Sequence, residues 1–519
     1  MRQANDDHIL GLTHFDVIGL FNAPGNTGLG IMQQRKLMLG NSTRNFNQGT
    51  VMIQQIASSA ATSTEHRNFR DDEFWQMIPA WKDVSRETFG DHLWQSKNAV
   101  KRLSEVQEVL KHRIDEDLMA DIDEGLKIAP MNIRITPYVF SLIDWDNPRN
   151  DPLRKQFLPI ASQMLPDHPY YLADSLYEDV DSPVEMLTHR YPDKVLFLPL
   201  TTCPVYCSYC TRSRIIGGST DTVNKQTYGA NLERAEAAFK YIEANERIED
   251  VVISGGDAFN MTAKHIKAIG ERLLGIDHVR RIRYATKGIA ILPQKITSDE
   301  KWLEAFLDVH RLGKEKGKAV VIHTHFSSPV EITAWSQAAM NRLFAEGVIV
   351  RNQAVMQEGV NHQTDVMISM NKALCYMNVQ PYYVYIHDMV PGCEHLRTTL
   401  AEGVELEKQV RGCSAGFNTP TFVCDAPGGG GKRHVASYEY YDQENGISIW
   451  RAPNVKPNEL FLYFDPLHKL SRAANVRWAD ATQRENMVNH AIHSVDIRLT
   501  STELQKIARR LEQAAHLPK

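Results

Sequence analysis

From about residue 194 the chain alternates short apolar runs with longer stretches whose apolar residues recur every three or four positions. The short runs are VLFLPL (195–200), DVVISG (250–255), RIRYAT (281–286), AVVIHTHF (319–326), VIVRNQAV (348–355) and YYVYIHD (382–388). Between them, stretches such as NLERAEAAFKYIEANE and TAWSQAAMNRLFAEG carry the helical period. Strand, helix, strand at this spacing predicts right-handed crossovers and a parallel sheet. Six such units predict an α/β fold built as a partial (βα)6 barrel, with its chemistry at the C-terminal ends of the strands.

The flanks read differently. Residues 71–190 form a helical N-terminal region, with helical periodicity over 74–128 and then a Pro-punctuated connector, ITPYVFSLIDWDNPRNDPLRKQFLP. Residues 1–70 are rich in Asn, Gln, Ser and Thr and are expected to be a poorly ordered extension. The barrel with its cofactor-binding segment is placed at 191–440. A C-terminal extension at 441–519 ends in a helical tail, TSTELQKIARRLEQAAHL, opened by a Ser/Thr cap with Glu three residues on.

Composition narrows the class. Across 519 residues, 43% hydrophobic and 23% charged is the balance of an ordinary soluble protein, which excludes a disordered or fibrous chain. Lys+Arg 58 against Asp+Glu 63 gives −5, so no basic excess exists to displace counterions from nucleic acid or an anionic membrane. No apolar run reaches the ~18 residues of a membrane span. The opening MRQANDDHILGLTHF has no basic segment followed by an apolar core, so a cytoplasmic location is expected. Seven cysteines are too few for a disulfide scaffold, and three of them crowd into eight positions, which suits a metal or redox cluster in a reducing compartment.

Those three, Cys203, Cys207 and Cys210 in TTCPVYCSYCTRSR, have C-x-x-x-C-x-x-C spacing. Three thiolates on one loop can hold three irons of a [4Fe–4S] cluster and leave the fourth open to a ligand. The plainer alternatives are a zinc site completed by a distant His, or buried cysteines without a metal. The second strand ends in SGGDAFN, where Gly255 and Gly256 allow a ligand close to the backbone, although a plain tight turn needs the same residues. DAPGGGGKRHV (425–435) sets Lys432 behind four glycines. A lysine held there could form a Schiff base with pyridoxal phosphate (PLP). The alternatives are a flexible surface loop or a phosphate cradle, and the phosphate-loop pattern G-x-x-x-x-G-K-[ST] fails because Arg433 follows the lysine.

The cluster loop, with Tyr209 before its last cysteine, resembles that of the radical S-adenosylmethionine (SAM) superfamily. The chain from about 74 to 440 resembles the lysine 2,3-aminomutase family through HRYPDKVLFL, CTRSR, ILPQKIT, HTHF, NQAVMQEGVN, PYYVYIHD, EHLRT and DAPGGGGK. This implies a radical SAM barrel, a homo-oligomer, an external electron donor such as flavodoxin or ferredoxin, and three cofactors: a [4Fe–4S] cluster, SAM and PLP. The implied reaction cleaves SAM, takes a hydrogen from the β-carbon of a PLP-bound amino acid and moves its amino group from C2 to C3. Position by position, Lys432 would be the Schiff-base lysine, Arg190 and Lys194 would reach the PLP phosphate, and Gly255 and Gly256 would receive the SAM amino group. His325 and Gln353 would contact SAM, Arg212 would clamp the substrate carboxylate, and Asp388 and Asp425 would hold a terminal ammonium. L-Lysine is the first expected substrate, with arginine or ornithine behind it. A protein-borne lysine and a non-catalytic iron–sulfur scaffold are the other readings. The chain departs from the family at SSP after HTHF, at ATKG, at Lys194 where Arg is frequent, and in having no cysteine beyond Cys424.

Overall fold

The computed structural model describes residues 60–495, 506–511 and 513. Its frame is one nine-stranded sheet in sequential order: β1 (Leu187–Tyr191), β2 (Lys194–Leu200), β3 (Asp250–Gly255), β4 (Arg281–Ala285), β5 (Ala319–Thr324), β6 (Ile349–Val355), β7 (Gln380–Tyr385), β8 (Thr421–Ala426) and β9 (Gly431–His434). β2 to β8 are parallel, and β1 and β9 pair antiparallel at the two edges. The six expected runs are β2 to β7, and β8 adds a seventh parallel strand before the edge hairpin. The barrel nearly closes: across the gap between the edges, the backbone N–H of Lys432 on β9 donates to the Tyr191 hydroxyl of β1 at 2.9 Å.

Crossover helices cover the outside, and their starts are written in the sequence. The side chain of Thr262 caps Ala263–Leu274, and Thr399 with Glu402 forms a capping box on Leu400–Val410. Ile266, Ile269 and Leu273 put one face of Ala263–Leu274 wholly out of water, each worth about 1.5–3 kcal/mol. Gly270 lets that helix lie flush, since a Cβ there would sit 2.4 Å from Val309 Cγ1.

The N-terminal region buries an aromatic cluster in which Trp75 stacks on Phe89 at 4.2 Å and both rings meet Trp335 edge-on. Of the extension expected over 1–70, residues 1–59 lie outside the described residues. Residues 60–70 pack against the barrel, with Phe69 on Tyr376 and Arg70 bridged to Thr333. Past 440, a three-stranded antiparallel sheet of β10 (Tyr440–Asp442), β11 (Ile447–Ala452) and β12 (Lys456–Phe464) leads into helices Arg472–Ala479 and Ala481–Val495. This layer sits over the β7–β9 end: Tyr463 Oη donates to the His387 carbonyl at 3.0 Å, and Asp465 accepts from the Leu400 N–H at 2.7 Å. The expected tail is helical where described, over 506–511, and its capped start falls outside the described residues.

Candidate active site

The cluster loop leaves β2 at Leu200 and is clamped mainly by backbone and amide groups. Ser208 N–H and Oγ both donate to the Gln156 carbonyl, at 2.9 and 2.8 Å, and Tyr209 Oη donates to Gln156 Oε1 at 3.0 Å. On the other side Tyr206 N–H donates to the Arg134 carbonyl at 2.9 Å, while Arg134 Nε donates to the Pro204 carbonyl at 3.2 Å. Cys203, Cys207 and Cys210 all carry free thiols. Burial, and then the Asp257 carboxylate and the other thiols of the loop, raises Cys203 well above the ordinary thiol value; burial pushes Cys207 up to about 12 and raises Cys210. Three thiolates crowded here need cations to exist, which is the chemistry of an iron–sulfur corner. Among the described residues no three His, Cys, Asp or Glu side chains converge on a single-ion position. A cubane takes one thiolate per corner, so the loop fits a cluster better than a zinc ion.

Gly255 (φ +91°) and Gly256 have a packing reason as well as a ligand-approach one. A Cβ on Gly255 would stand 2.4 Å from the Leu200 carbonyl oxygen, and one on Gly256 2.2 Å from that of Thr202. The end of β3 thus lies directly against the start of the cluster loop, with Gly256 N–H donating to Leu200 O at 2.7 Å. His325 Nε2 is 2.8 Å from Tyr209 Oη and 3.2 Å from Ser327 Oγ, so it stands beside the cluster loop. Burial and the nearby Lys287 ammonium hold it well below the usual imidazole value, hence neutral. Lys287, from ATKG, is itself buried, donating to the His325 carbonyl at 2.9 Å and to Glu331 Oε1 at 2.7 Å.

The other centre is at β8 and β9. Residues 428–431 are buried, which removes the flexible-surface-loop alternative. Gly428, Gly429 and Gly431 have φ of +82°, +88° and +71°. A Cβ on Gly429 would meet Lys456 Nζ at 2.4 Å, and one on Gly431 the Tyr191 hydroxyl at 2.6 Å. The turn delivers Lys432, whose Nζ lies 3.2 Å from Asp425 Oδ2 and faces the rings of Tyr385 and Tyr191 at 5.5 and 5.9 Å. Burial works against the Lys432 ammonium, but Asp425 holds it well above the ordinary lysine value. Asp425, buried too, is kept below the usual carboxylate range by Lys432 and Arg190.

Several charged or polar groups here lack partners. Asp425 Oδ1 is buried with no hydrogen bond. The Asp388 carboxylate has no hydrogen-bond or ion-pair partner among the described residues, and burial together with the Asp425 charge pushes it up to about 8. Lys194 lies 3.6 Å over the Tyr191 ring and forms no ion pair among the described residues, and burial plus the like charges of Lys432 and Arg283 bring it down to about 7. Buried His323, lowered to about 3 by burial and four surrounding cations, takes a hydrogen bond from Gln353 Nε2 on Nδ1 at 2.8 Å and leaves Nε2 unpartnered. A phosphate would answer the Lys194 vacancy, and an ammonium the aspartate pair. The site fits PLP.

Two expected contacts are engaged elsewhere. Arg212 gives both arms of its fork to the buried Glu178, at 2.9 and 2.6 Å, where a substrate carboxylate was expected. Arg190 pairs with Asp181 at 2.8 Å, and Lys456 of β12 shares that carboxylate at 2.9 Å. Gln353, expected at SAM, also accepts from Tyr385 Oη at 2.8 Å and so ties His323 to the lysine end. Glu178, Asp181, Tyr191, Tyr385, His323 and Lys287 were not among the sequence candidates. Tyr191 was within reach, since it stands between the two basic residues of HRYPDK.

A barrel that carries a three-thiol loop at the end of one strand and a buried, carboxylate-paired lysine on the last is an enzyme that joins an iron–sulfur cofactor to PLP. No family model matches the chain. It is 37% identical over 410 residues to L-lysine 2,3-aminomutase of Bacillus subtilis (strain 168), covering 76% of this chain and 82% of that protein. It is 38% identical to L-lysine 2,3-aminomutase of Clostridium subterminale, over 72% of this chain and 84% of that one. Glutamate 2,3-aminomutase of Clostridioides difficile (strain 630) is 30% identical, over 69% and 79%. A solved radical SAM methyltransferase from Sphaerobacter thermophilus overlaps only loosely, at 18% identity and TM-score 0.32 over 46% of this chain and 68% of that one. The chain belongs to the lysine 2,3-aminomutase family. It is an isomerase, a radical SAM 2,3-aminomutase whose cofactors are a [4Fe–4S] cluster, SAM and PLP.

Proposed function

We propose that this enzyme moves the α-amino group of a cationic amino acid, L-lysine before arginine or ornithine, from C2 to C3. The observation that carries this is a carboxyl pair short of partners: Asp425 gives Oδ2 to Lys432 and leaves Oδ1 bare, and Asp388 has no ion-pair partner among the described residues. Two carboxylates buried together repel, and one must hold a proton unless a cation enters. A substrate ammonium supplies that cation; an acidic side chain would worsen the repulsion.

When bound, the cluster, SAM and PLP supply the radical chemistry that shifts the amino group. The chain positions and shields. Cys203, Cys207 and Cys210 would hold the cluster, with Gly255, Gly256 and His325 on the SAM side. Lys432 would hold PLP, and Lys194 would meet its phosphate. To react with a carbonyl, Lys432 must give up the proton that Asp425 now stabilises. With that proton released to solvent, Asp425 would be without its cation and open to the ammonium of the substrate. Glu178 holds the Arg212 guanidinium through Nε and Nη2, so the substrate carboxylate would approach it through Nη1, with the α-carbon between the two ends. Asp425 is only 4% exposed, which favours a free amino acid over a protein-borne lysine.

The same reading includes an electron donor such as flavodoxin or ferredoxin and a homo-oligomer. It includes a cytoplasmic location, supported by seven free thiols. No described helix is long and apolar enough to cross a membrane. The test is an anaerobic screen of lysine, arginine, ornithine and glutamate on reconstituted enzyme, with products read by NMR. β-Lysine as the main product is expected. Preference for glutamate or a neutral amino acid overturns the reading.

A further inference from the structure

On the outer side of the cluster loop is a recess of about 260 Å³, lined by Lys101, Arg102, Leu103, Leu126, Asn132, Ile133, Arg134 and Tyr206. Three of the side chains that bound it are cationic and none is acidic. Glu105 reaches Arg102 from beside it, at 2.7 Å, while Lys101 Nζ and the Arg134 guanidinium pair with no carboxylate among the described residues. The recess is one residue from the iron ligands: Tyr206 sits between Cys203 and Cys207, and Arg134 is bonded to the loop at both Pro204 and Tyr206. On its other flanks the loop packs against Gln156, His325 and the end of β3.

We propose that this recess is the docking site of an acidic, low-potential, one-electron carrier protein, and that Tyr206 is the shortest path from it to the cluster. The inference rests on the iron–sulfur reading of the loop and adds where its electron enters. The balance is one electron: the carrier is oxidised by one, the cluster goes from 2+ to 1+, and no bond or proton on this chain changes. Charge makes the patch specific. The whole chain carries −5 and would repel an acidic carrier at long range. At physiological salt the screening length is about 8 Å, so a local group of cations decides the encounter.

The probe is reduced flavodoxin, mixed anaerobically with the cluster-loaded enzyme while the bleaching of the cluster absorbance is followed. The variant is Lys101→Glu with Arg102→Glu, both exposed and neither a cofactor contact. Reduced methyl viologen, a small donor that needs no docking surface, is the control. Wild type should be reduced by flavodoxin at a rate that falls steeply with salt, the variant should be ~10–100-fold slower at low salt, and the two should converge at high salt. Viologen should reduce both equally. Titrating flavodoxin flavin fluorescence against each protein gives a second readout, independent of the cluster, in which the variant should bind at least ~10-fold more weakly. Equal flavodoxin rates and equal affinities overturn the docking site and leave the cluster reading intact. Failure of viologen to reduce the wild type overturns the cluster reading, and the docking site with it.

Discussion

The two ends of the active site are built on opposite principles. Around Cys203, Cys207 and Cys210 the loop is held mainly by backbone and neutral hydrogen bonds from Gln156, Tyr209 and the Arg134 carbonyl, with Arg134 Nε a charged donor to Pro204, and the neighbouring imidazole of His325 is uncharged. Around Lys432 the groups are ionic and unbalanced: Lys194 without an anion, Asp388 without a cation, and Asp425 half satisfied. The cluster end is tied down by hydrogen bonds before any cofactor arrives, and its three buried thiols await a metal. The lysine end is charged before any ligand arrives and lacks partners of defined sign. The difference separates roles, with reactivity assigned to the braced end and selection to the ionic one.

Removing a thiol is the harshest way to break this division. Replacing Cys203, Cys207 or Cys210 with Ala should abolish iron binding and SAM cleavage while PLP still reaches Lys432, as iron analysis beside the PLP absorbance would show. Iron retained after all three changes would move the cluster elsewhere. Next in size, Lys432→Ala should lower turnover by roughly 10⁴-fold or more, the scale of losing a covalent catalytic group, and leave iron content unchanged. Borohydride reduction of the wild type should label Lys432 alone; label on Lys194 or Lys287 would contradict the assignment.

Asp388→Asn should lower kcat/KM for lysine by ~10²-fold, since it takes one charge from a buried pair with the substrate. Its pH signature sharpens the case. The Asp388 carboxyl is raised to about 8, so below that pH it holds a proton that an incoming ammonium must displace. KM for lysine should therefore fall as pH rises from 6 to 8 in the wild type and lose that slope in the variant. An unchanged slope would assign the proton to another group. Smallest of the four, Lys194→Met should weaken PLP binding ~10-fold by removing one charged contact to phosphate, with SAM binding unaltered. Equal PLP affinity would release Lys194 from the phosphate.

Much of this was legible in sequence where the determinant is local. Strands β2 to β5 are largely buried and read as short apolar runs, while β6 and β7 mix buried with half-buried positions and are legible through their Val, Ile and Tyr. The C-x-x-x-C-x-x-C loop and GGGGK carry their chemistry within a dozen residues. β8, TFVCDA, escaped because it is short, begins on an exposed Thr421, ends on Asp425 and Ala426 and is flanked by Pro420 and Pro427. β10 to β12 escaped because a Tyr-Tyr-Asp strand and the charged start of KPNELFLYF give no clean alternation. Site residues fixed by distant partners were not legible at all. Glu178 takes the Arg212 guanidinium from 34 residues away, and Asp181, the partner of Arg190, is shared with Lys456 of the C-terminal sheet. Each of these is an unremarkable charged residue until the fold brings its partner.

The division of roles is tested most directly by isotope. With L-lysine deuterated at C3, anaerobic wild-type enzyme should pass deuterium into 5′-deoxyadenosine, read by mass spectrometry. Asp388→Asn, with full iron and PLP content, should pass little at the same substrate concentration and regain transfer as lysine is raised. Deuterium transfer that is equal in the two proteins at limiting lysine, or that occurs from glutamate and not from lysine, would contradict the assignment of substrate choice to the lysine end.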